Sequence, residues 1–295
     1  MCYNGGIKKG RYRIVKFWKK IVCAALALGL TLSFAGCGEK PVVGKEVIKC
    51  STQLDTLVQL NAGTLDAAII DSVMANYYTA SDTYKDLQVI ENLVFVEEEY
   101  GIAGRKEDKA FLSEINKALI AIADTGAKEV AETYNLGSEL AVKSTTTNPL
   151  ADATDNSWQK IKESGKIIVG YTVFAPIAYS EGDKLTGFDI ELARKVVEYL
   201  NMTYELELTL EFKEINWKAK ETMLANGTVD LLWNGLTITE ERSAAMCISV
   251  PYLYNKQVAV IKKADKDVYK TEEDLKDAVI GVESGSAGED VAFGK

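Results

Sequence analysis

Residues 229–242 read VDLLWNGLTITEER, and this stretch decides how the rest of the chain is interpreted. Val229 to Trp233 form an apolar run with one aspartate, which predicts a short buried strand. The glycine and the threonines that follow are typical of turns and helix caps. The stretch therefore predicts a strand, then a turn, and then a helix that carries Arg242.

Strands and helices alternate on both sides of this stretch. Short apolar or alternating runs predict strands at 166–170, 206–212, 257–261 and 279–282, and at 47–48, 65–70 and 93–96. Helical spacing of apolar residues predicts helices at 54–60, at 188–200 behind Asp189 as a candidate N-cap, in a segment ending at Met223, and at 111–122, before Gly126. The alternation predicts an α/β fold.

The N-terminus has the composition of an export signal. Seven lysines and arginines without an acidic residue precede an apolar segment of 14 residues, 21–34, which is too short to span a bilayer comfortably. Ser33-Phe34-Ala35-Gly36-Cys37 follows and resembles a bacterial lipobox, which implies lipidation at Cys37 and a protein anchored to the outer face of the cytoplasmic membrane or periplasmic. A non-lipidated signal, or an uncleaved anchor helix, is the alternative.

Composition excludes several function classes. Without the seven positive charges of the leader, the formal net charge changes from −9 to −16, so no basic surface for nucleic acid is expected. The chain contains no histidine, and its five cysteines show no CxxC pairing, which argues against zinc and against Cys/His catalysis. Cys50 and Cys247 lie in apolar strand-like runs and are expected to be buried thiols without a disulfide.

Several motifs resemble the polar amino-acid family of periplasmic-type solute-binding proteins. The main ones are residues 234–242 and the Ser249-Val250-Pro251-Tyr252 that follows them. Further ones are TGFDIELA at 186–193, GSAGED at 285–290, GTLDAAIID at 63–71 and YGIA at 100–103. The resemblance implies a type II fold of two α/β lobes joined by two crossover strands. It also implies a monomer without cofactor or catalytic activity that delivers an amino acid to an ABC permease.

The order of the motifs differs from the family, where the counterparts of 157–295 come before those of 45–134. The resemblance thus implies a circular permutation: signal peptide 1–36, tether 37–44, second half of lobe 2 at 45–96, C-terminal part of lobe 1 at 97–135, flexible linker 136–156, N-terminal part of lobe 1 at 157–252, and first half of lobe 2 at 253–295. A tandem gene that lost its middle, or a misassembled gene, would leave the same residues, and two chains could exchange blocks across the linker.

The resemblance also implies where an amino acid would bind. Arg242 would hold the α-carboxylate, beside the hydroxyl of Thr237 and the backbone of Gly235 in the motif that begins at Asn234. From the other lobe, Ser286 and Ala287 would open a helix towards the same carboxylate, and Asp71 would receive the α-ammonium. Each of these residues has a structural alternative as a turn, cap or surface residue.

Aromatic residues would surround the ligand's side chain. Trp217, Phe174 and Tyr171 match these positions, and Tyr171 replaces an acidic residue of relatives that bind basic amino acids, so a neutral or polar amino acid is expected. Glu283 lies near enough in the pattern to keep basic ligands open. It is also the candidate acid–base in a competing function, a dehydratase of cyclohexadienyl acids, and a surface lipoprotein that binds nothing is a further alternative.

Overall fold

Strands from both halves of the chain lie in one sheet. The structure is a computed structural model that describes residues 42–295, so the predictions for the signal peptide and for Cys37 lie outside the described residues. The strands are β1 (Glu46–Cys50), β2 (Ala67–Asp71), β3 (Leu87–Arg105), β4 (Lys166–Tyr171), β5 (Tyr179–Glu181), β6 (Lys184–Thr186), β7 (Thr209–Glu214), β8 (Leu231–Thr237), β9 (Met246–Ile248), β10 (Leu253–Lys262) and β11 (Val279–Glu283). The α-helices are α1 (Gln53–Ala62), α2 (Ser72–Thr79), α3 (Lys109–Ala121), α4 (Lys128–Thr133), α5 (Ser157–Ser164), α6 (Phe188–Tyr204), α7 (Lys220–Ala225), α8 (Glu240–Ala245) and α9 (Ala287–Phe293).

The main sheet has the strand order β1-β11-β2-β10-β3-β8-β4-β7, with β9 paired to β3. β11, from the last part of the chain, lies between β1 and β2, from the first part, and is parallel to both. The two blocks of the sequence therefore build one sheet together.

β3 and β10 are the two strands that connect the lobes. They pair antiparallel from Leu87 with Lys262 to Tyr100 with Leu253, and beyond Tyr100 β3 pairs with β8 and β9 instead. β8, β4, β7 and β9 form the sheet of lobe 1, whereas β1, β11 and β2 belong to lobe 2. The predicted two-lobed α/β fold with two crossover strands is confirmed. The domain boundaries and the permuted order relative to the family stay predictions.

Large aromatic side chains fill the junction of β3, β8 and β10. Trp233, Tyr100 and Tyr252 are fully buried there, with ring centroids of Tyr252 6.3 Å from Trp233 and 6.4 Å from Tyr100. Burying a side chain of this size stabilises the fold by about 1.5–3 kcal/mol. The packing fixes the strands that carry the candidate site.

Local side-chain bonds start the helices that flank the cleft. Thr52 caps α1 by accepting from the backbone N of Asp55 at 3.1 Å, and Thr239 caps α8 by accepting from the backbone N of Arg242 at 3.1 Å. Gly187 precedes α6 with φ of 121°, and a Cβ there would lie 2.4 Å from the carbonyl oxygen of Ile177. These residues set where the helices begin.

Two predicted elements need correction in lobe 1. β8 begins at Leu231 and continues to Thr237, so Asn234, Gly235 and Thr237 lie in the strand and the turn comes after them. Asp189 is not the N-cap of α6, because Gly187 holds that position. The Asp189 carboxylate is buried and accepts from the backbone N of Gly235 at 2.9 Å.

Residues 136–156 form a packed segment and not a flexible linker. Leu140 forms an isolated antiparallel bridge with Leu253, and Val142 is buried. Asn148 bonds Asn116 of α3 through their side chains at 3.0 Å. The polar composition that predicted a flexible linker instead supplies side chains that bind neighbouring elements.

Several smaller predictions can be compared directly. β3 is 19 residues long where 93–96 was expected, and β7 begins at Thr209 and not at Leu206. The expected interruption after α3 is a π-helical turn over Ala123–Ala127, which contains Gly126. Cys50 and Cys247 are buried free thiols.

Candidate functional site

A cavity lined by residues of both lobes lies where the two lobes meet. Lobe 1 contributes strand β8, the start of α8 and the loops after β4 and β7, and lobe 2 contributes the ends of β2 and β11 and the starts of α1 and α9. The lining residues are Gln53, Asp71, Phe174, Trp217, Asn234, Gly235, Thr237, Arg242, Glu283, Ser286 and Ala287. Nine of the ten ligand-binding residues predicted from the sequence therefore lie around one cavity, as this lining shows.

Arg242 brings a buried cation to the cavity. Its Nη1 donates to the carbonyl oxygen of Thr237 at 2.9 Å, and its Nη2 donates to the carbonyl oxygen of Gly285 at 3.4 Å. The alternative of a solvent-exposed helix arginine does not fit, since Arg242 is only 9% exposed. A guanidinium held in this way can bind a carboxylate with two parallel hydrogen bonds.

β8 lines one wall of the cavity beside Arg242. Gly235 has φ of 62°, and a Cβ at this position would lie 2.7 Å from the ring of Phe174, so a larger residue would clash. The N–H of Gly235 donates to Asp189 and is therefore already bonded. Gly235 contributes to the cavity by letting the backbone approach closely. Asn234 donates to the hydroxyl of Thr172 at 2.8 Å, and its Oδ1 has no hydrogen-bond partner among the described residues.

Asp71 is the acidic group of the opposite wall. Its carboxylate accepts from the hydroxyl of Tyr100 at 2.7 Å, from Nε2 of Gln257 at 2.8 Å, and from the side-chain amides of Gln53 and Asn255. Although Asp71 occupies the N-cap position of α2, its side chain makes no cap bond. Its role is therefore in the cavity wall and the network behind it.

A second carboxylate stands behind Asp71. Glu98, on β3, accepts from Nδ2 of Asn255 at 2.7 Å and from Nε2 of Gln257 at 3.0 Å, so the two amides are shared by both carboxylates. Burial, followed by the charge of Asp71, raises the pKa of Glu98 to about 7. Burial also raises the pKa of Asp71, against the effect of its hydrogen bonds. The network ties the cavity to both crossover strands.

Glu283, at the end of β11, is the third acidic group. Glu283 is 5% exposed, and its Oε1 has no hydrogen-bond partner within the described part of the chain. Burial, followed by the charge of Asp71, raises the pKa of Glu283 to about 8, while Lys220 opposes the shift. A buried carboxyl oxygen without a partner is unfavourable unless a bound group satisfies it.

Lys220 adds a second cation next to the cavity. Its Nζ donates to the carbonyl oxygen of Gly285 at 3.0 Å, pairs with Glu221 at 3.2 Å and lies 4.9 Å from the ring centroid of Trp217. Burial, followed by the charge of Arg242, lowers the pKa of Lys220. Trp217 is thus held by a cation–π contact at the wall that it forms.

The start of α9 closes the remaining side. The hydroxyl of Ser286 accepts from the backbone N of Glu289 at 3.2 Å and donates to the carbonyl oxygen of Glu283 at 2.8 Å. Ser286 therefore caps α9, as its structural alternative predicted. Ser286 and Ala287 also line the cavity.

Tyr171 is the predicted site residue that the structure does not bring to the cavity. Successive side chains of a strand alternate between its faces, so Thr172 contacts Asn234 while the ring of Tyr171 packs edge-on against Phe212 at 6.3 Å. The position of Tyr171 hence gives no support for a neutral ligand.

Sequence reasoning missed Gln53 and Lys220. Neither lies in a motif that resembles the family, and each reaches the site only through packing between distant segments. Asp66 and Asp230 have structural contacts: they accept from the backbone N of Val279 at 2.8 Å and of Ile168 at 3.0 Å.

Comparison with known proteins gives a consistent picture. Residues 167–282 match the model of bacterial extracellular solute-binding proteins, family 3. A probable ABC transporter extracellular-binding protein of Bacillus subtilis is 34% identical over 131 residues, which cover 43% of this chain and 44% of that protein. A glutamine-binding protein of Geobacillus stearothermophilus is 34% identical over 160 residues, or 52% of this chain and 57% of that protein.

The chain spans about half the length of these curated relatives, both of which are named as binding proteins. Among solved structures, a polar amino acid ABC uptake transporter substrate binding protein from Streptococcus thermophilus is 36% identical. The match covers 34% of this chain and 36% of that one, with a TM-score of 0.27. Within residues 42–295, no helix combines the length and the apolar character that crossing a membrane requires. Over residues 167–282, the chain is similar to family 3 of the bacterial extracellular solute-binding proteins.

Proposed function

We propose that the protein binds a small neutral or polar amino acid outside the cytoplasmic membrane and delivers it to an ABC importer. The observation that carries the proposal is the placement of Arg242 and Asp71 on opposite walls of one buried cavity. An amino acid carries a carboxylate and an ammonium a short distance apart, and each needs a partner when it leaves water. Arg242 and Asp71 supply one partner each.

The rest of the cavity supports the same ligand. Gly235 and Phe174 narrow the space on one side, and Thr237, whose backbone carbonyl accepts from Arg242, lines the same cavity. Arg242 and Lys220 would repel an additional cation, and Asp71 would repel an additional anion, so these groups suit a zwitterion whose side chain is uncharged.

Delivery to a permease and a lipid anchor at Cys37 are part of the proposal. Relatives named as ABC transporter binding proteins support the first, and the lipobox-like SFAGC sequence supports the second. The competing function is a dehydratase of cyclohexadienyl acids, for which Glu283, with its pKa raised to about 8, would be the general acid. Incubation with prephenate or arogenate tests this second function, and we expect no product.

Calorimetry of the purified chain with the twenty amino acids tests the proposal. A ligand at 100 times its Kd stabilises the protein by roughly 2.7 kcal/mol, so a thermal-shift panel gives an independent readout. Binding of one or a few amino acids with 1:1 stoichiometry is the expected result. A panel without binding or thermal shift contradicts the proposed function.

A further inference from the structure

Among the groups of the cavity, Glu283 is the carboxyl whose bonding is incomplete. Asp71, the other carboxyl of the lining, accepts from four donors. Oε1 of Glu283 is buried and has no hydrogen-bond partner in residues 42–295. Leaving a buried polar atom unpaired is unfavourable, and a donor on a bound molecule would remove this cost.

The neighbours of Glu283 limit which donor fits. Arg242 and Lys220 both donate to the carbonyl oxygen of Gly285, two residues along the chain from Glu283. A cationic side chain that reached Glu283 would approach these two cations. An anionic side chain would instead approach Asp71. Both charge types are therefore penalised, and an uncharged side chain that forms hydrogen bonds is favoured.

The protonation of Glu283 agrees with an uncharged partner. Burial, followed by the charge of Asp71, raises its pKa to about 8, while Lys220 and a hydrogen bond with Gln53 oppose the shift. At neutral pH a carboxyl with this pKa holds its proton in most molecules. A protonated carboxyl offers one O–H donor and one acceptor oxygen side by side. A carboxamide offers the complementary N–H and C=O pair, whereas a hydroxyl offers a single group.

We propose that Glu283 determines specificity at the ligand's side chain, and that it selects a side chain ending in a carboxamide, as in glutamine or asparagine. The inference rests on the proposed function, because it assumes that Arg242 and Asp71 hold the α-carboxylate and the α-ammonium. Gln53 supports the arrangement. Its side-chain amide donates to the Asp71 carboxylate and accepts from the backbone N of Asp71, and it lines the cavity together with Glu283.

Calorimetry with wild-type protein tests the inference first. The panel consists of glutamine, asparagine, methionine as the apolar analogue of glutamine, glutamate, and lysine. We expect glutamine or asparagine to bind at least about ten-fold more tightly than the other three, since the cost of an unpaired polar group converts to roughly 10- to 100-fold in Kd. Tightest binding of lysine, glutamate or methionine overturns the inference.

Two variants of Glu283 then test the residue itself. Glu283→Leu removes both hydrogen-bonding functions, so its affinity for the carboxamide ligand should fall roughly 10- to 100-fold while its affinity for methionine rises. Glu283→Gln keeps the shape and one donor–acceptor pair, and should stay within a few-fold of wild type. Glu114→Gln, a buried carboxyl of α3 outside the cavity, is the matched control and should leave binding unchanged.

The outcomes separate the two proposals. If an amino acid binds but Glu283→Leu keeps wild-type affinity and selectivity, the inference on Glu283 is wrong and the proposed function stands. If no amino acid binds to wild-type protein, the proposed function itself is wrong. Should Glu283→Leu fail to fold, as a melting curve would show, the wild-type panel and Glu283→Gln still decide the matter.

Discussion

Arg242 in lobe 1 and Gly285 in lobe 2 are joined across the cleft by a 3.4 Å hydrogen bond from Nη2 to the carbonyl oxygen. Lys220 donates to the same oxygen at 3.0 Å, so two buried cations of lobe 1 share one acceptor of lobe 2. A neutral carbonyl neutralises neither charge. A carboxylate brought to this point by a ligand would bind Arg242 more strongly than the carbonyl does.

Replacement of Arg242 by alanine should abolish amino-acid binding. The ligand's carboxylate would then be buried without its partner, at a cost of about 2–5 kcal/mol. Calorimetry should show a loss of affinity of more than about 30-fold, while the far-UV circular dichroism spectrum stays that of the wild type. Lys166→Ala, at an exposed ion pair with Glu211, is the control. Wild-type affinity in Arg242→Ala would remove Arg242 from the site.

Asp71→Asn should impair both binding and stability. The variant loses the charge that would pair with an α-ammonium, and its amide nitrogen faces donors where the carboxylate accepted from Tyr100, Gln53, Gln257 and Asn255. We expect a loss in the free energy of unfolding of about 1–3 kcal/mol in urea titrations, together with a loss of ligand binding in calorimetry. Unchanged stability would contradict the described network.

The sequence predicted the site more completely than the connections that assemble it. Arg242, Thr237, Gly235 and Asn234 lie within nine residues, so local motif resemblance was enough to find them. Lys220 and Gln53 lie outside the motifs and reach the cavity through packing of α7 and α1. Tyr171 was misplaced because a motif match fixes the position in the chain but not the face of the strand that a side chain occupies.

For the fold too, the sequence predicted local elements better than the contacts between distant segments. Apolar runs located the strands, whereas the length of β3 depends on its pairing with β10, β8 and β9, which no local pattern encodes. The segment 136–156 was predicted as flexible from its polar composition. Its order comes from bonds to distant partners, such as that of Asn148 with Asn116.

Stability should fall as the pH rises from about 5 to about 8. Burial raises the pKa of Asp189 to about 7, above its ordinary value near 4, so between these values the folded protein holds a proton that the unfolded chain releases. The stabilisation is fully present below pH 4 and is lost as the pH rises through 7. For one proton, the slope is at most about 1.4 kcal/mol per pH unit.

Thermal melts between pH 5 and pH 8 check this expectation. Glu98 and Glu283, with pKa values raised to about 7 and about 8, should contribute in the same direction. Asp189→Asn keeps an acceptor for the backbone N of Gly235 and for the hydroxyl of Tyr252, which donate to Asp189 at 2.9 Å and 2.8 Å. Its melting temperature should vary less with pH than that of the wild type. An equal dependence in both would contradict the assignment to Asp189.

Cys37→Ala should release the protein from the membrane fraction or block its processing. The proposed anchor is a lipid on the Cys37 sulfur, and the acidic body, of net charge −16 without the leader, is repelled by anionic headgroups. Fractionation of cells that express each variant, followed by mass determination of the mature N-terminus, gives the readout. Retention of a cleaved Cys37→Ala protein in the membrane would show that the lipobox interpretation is wrong.

A reordered chain should fold and bind like the original. The backbone N of Val42 lies 2.9 Å from the carbonyl oxygen of Ala292 near the end of α9, so a short Gly/Ser linker can join residue 295 to residue 42. New ends can be opened between Asp152 and Ala153, in a turn that lies outside helices and strands. The resulting order, 153–295 and then 42–152, is the order that the family resemblance implies.

This variant distinguishes folding within one chain from exchange of blocks between two chains. If β1, β11 and β2 come from one chain, as their pairing indicates, reordering leaves every strand pair intact. The reordered protein should be a monomer in small-angle scattering, melt within a few degrees of residues 42–295 in their original order, and bind the same amino acid within a few-fold in Kd. If the original chain is a dimer at dilute concentration while the reordered chain is a monomer, the original chain assembles by exchange of blocks between two chains. A reordered chain that does not fold would contradict the proposed permutation, because the same contacts would then depend on the original connectivity.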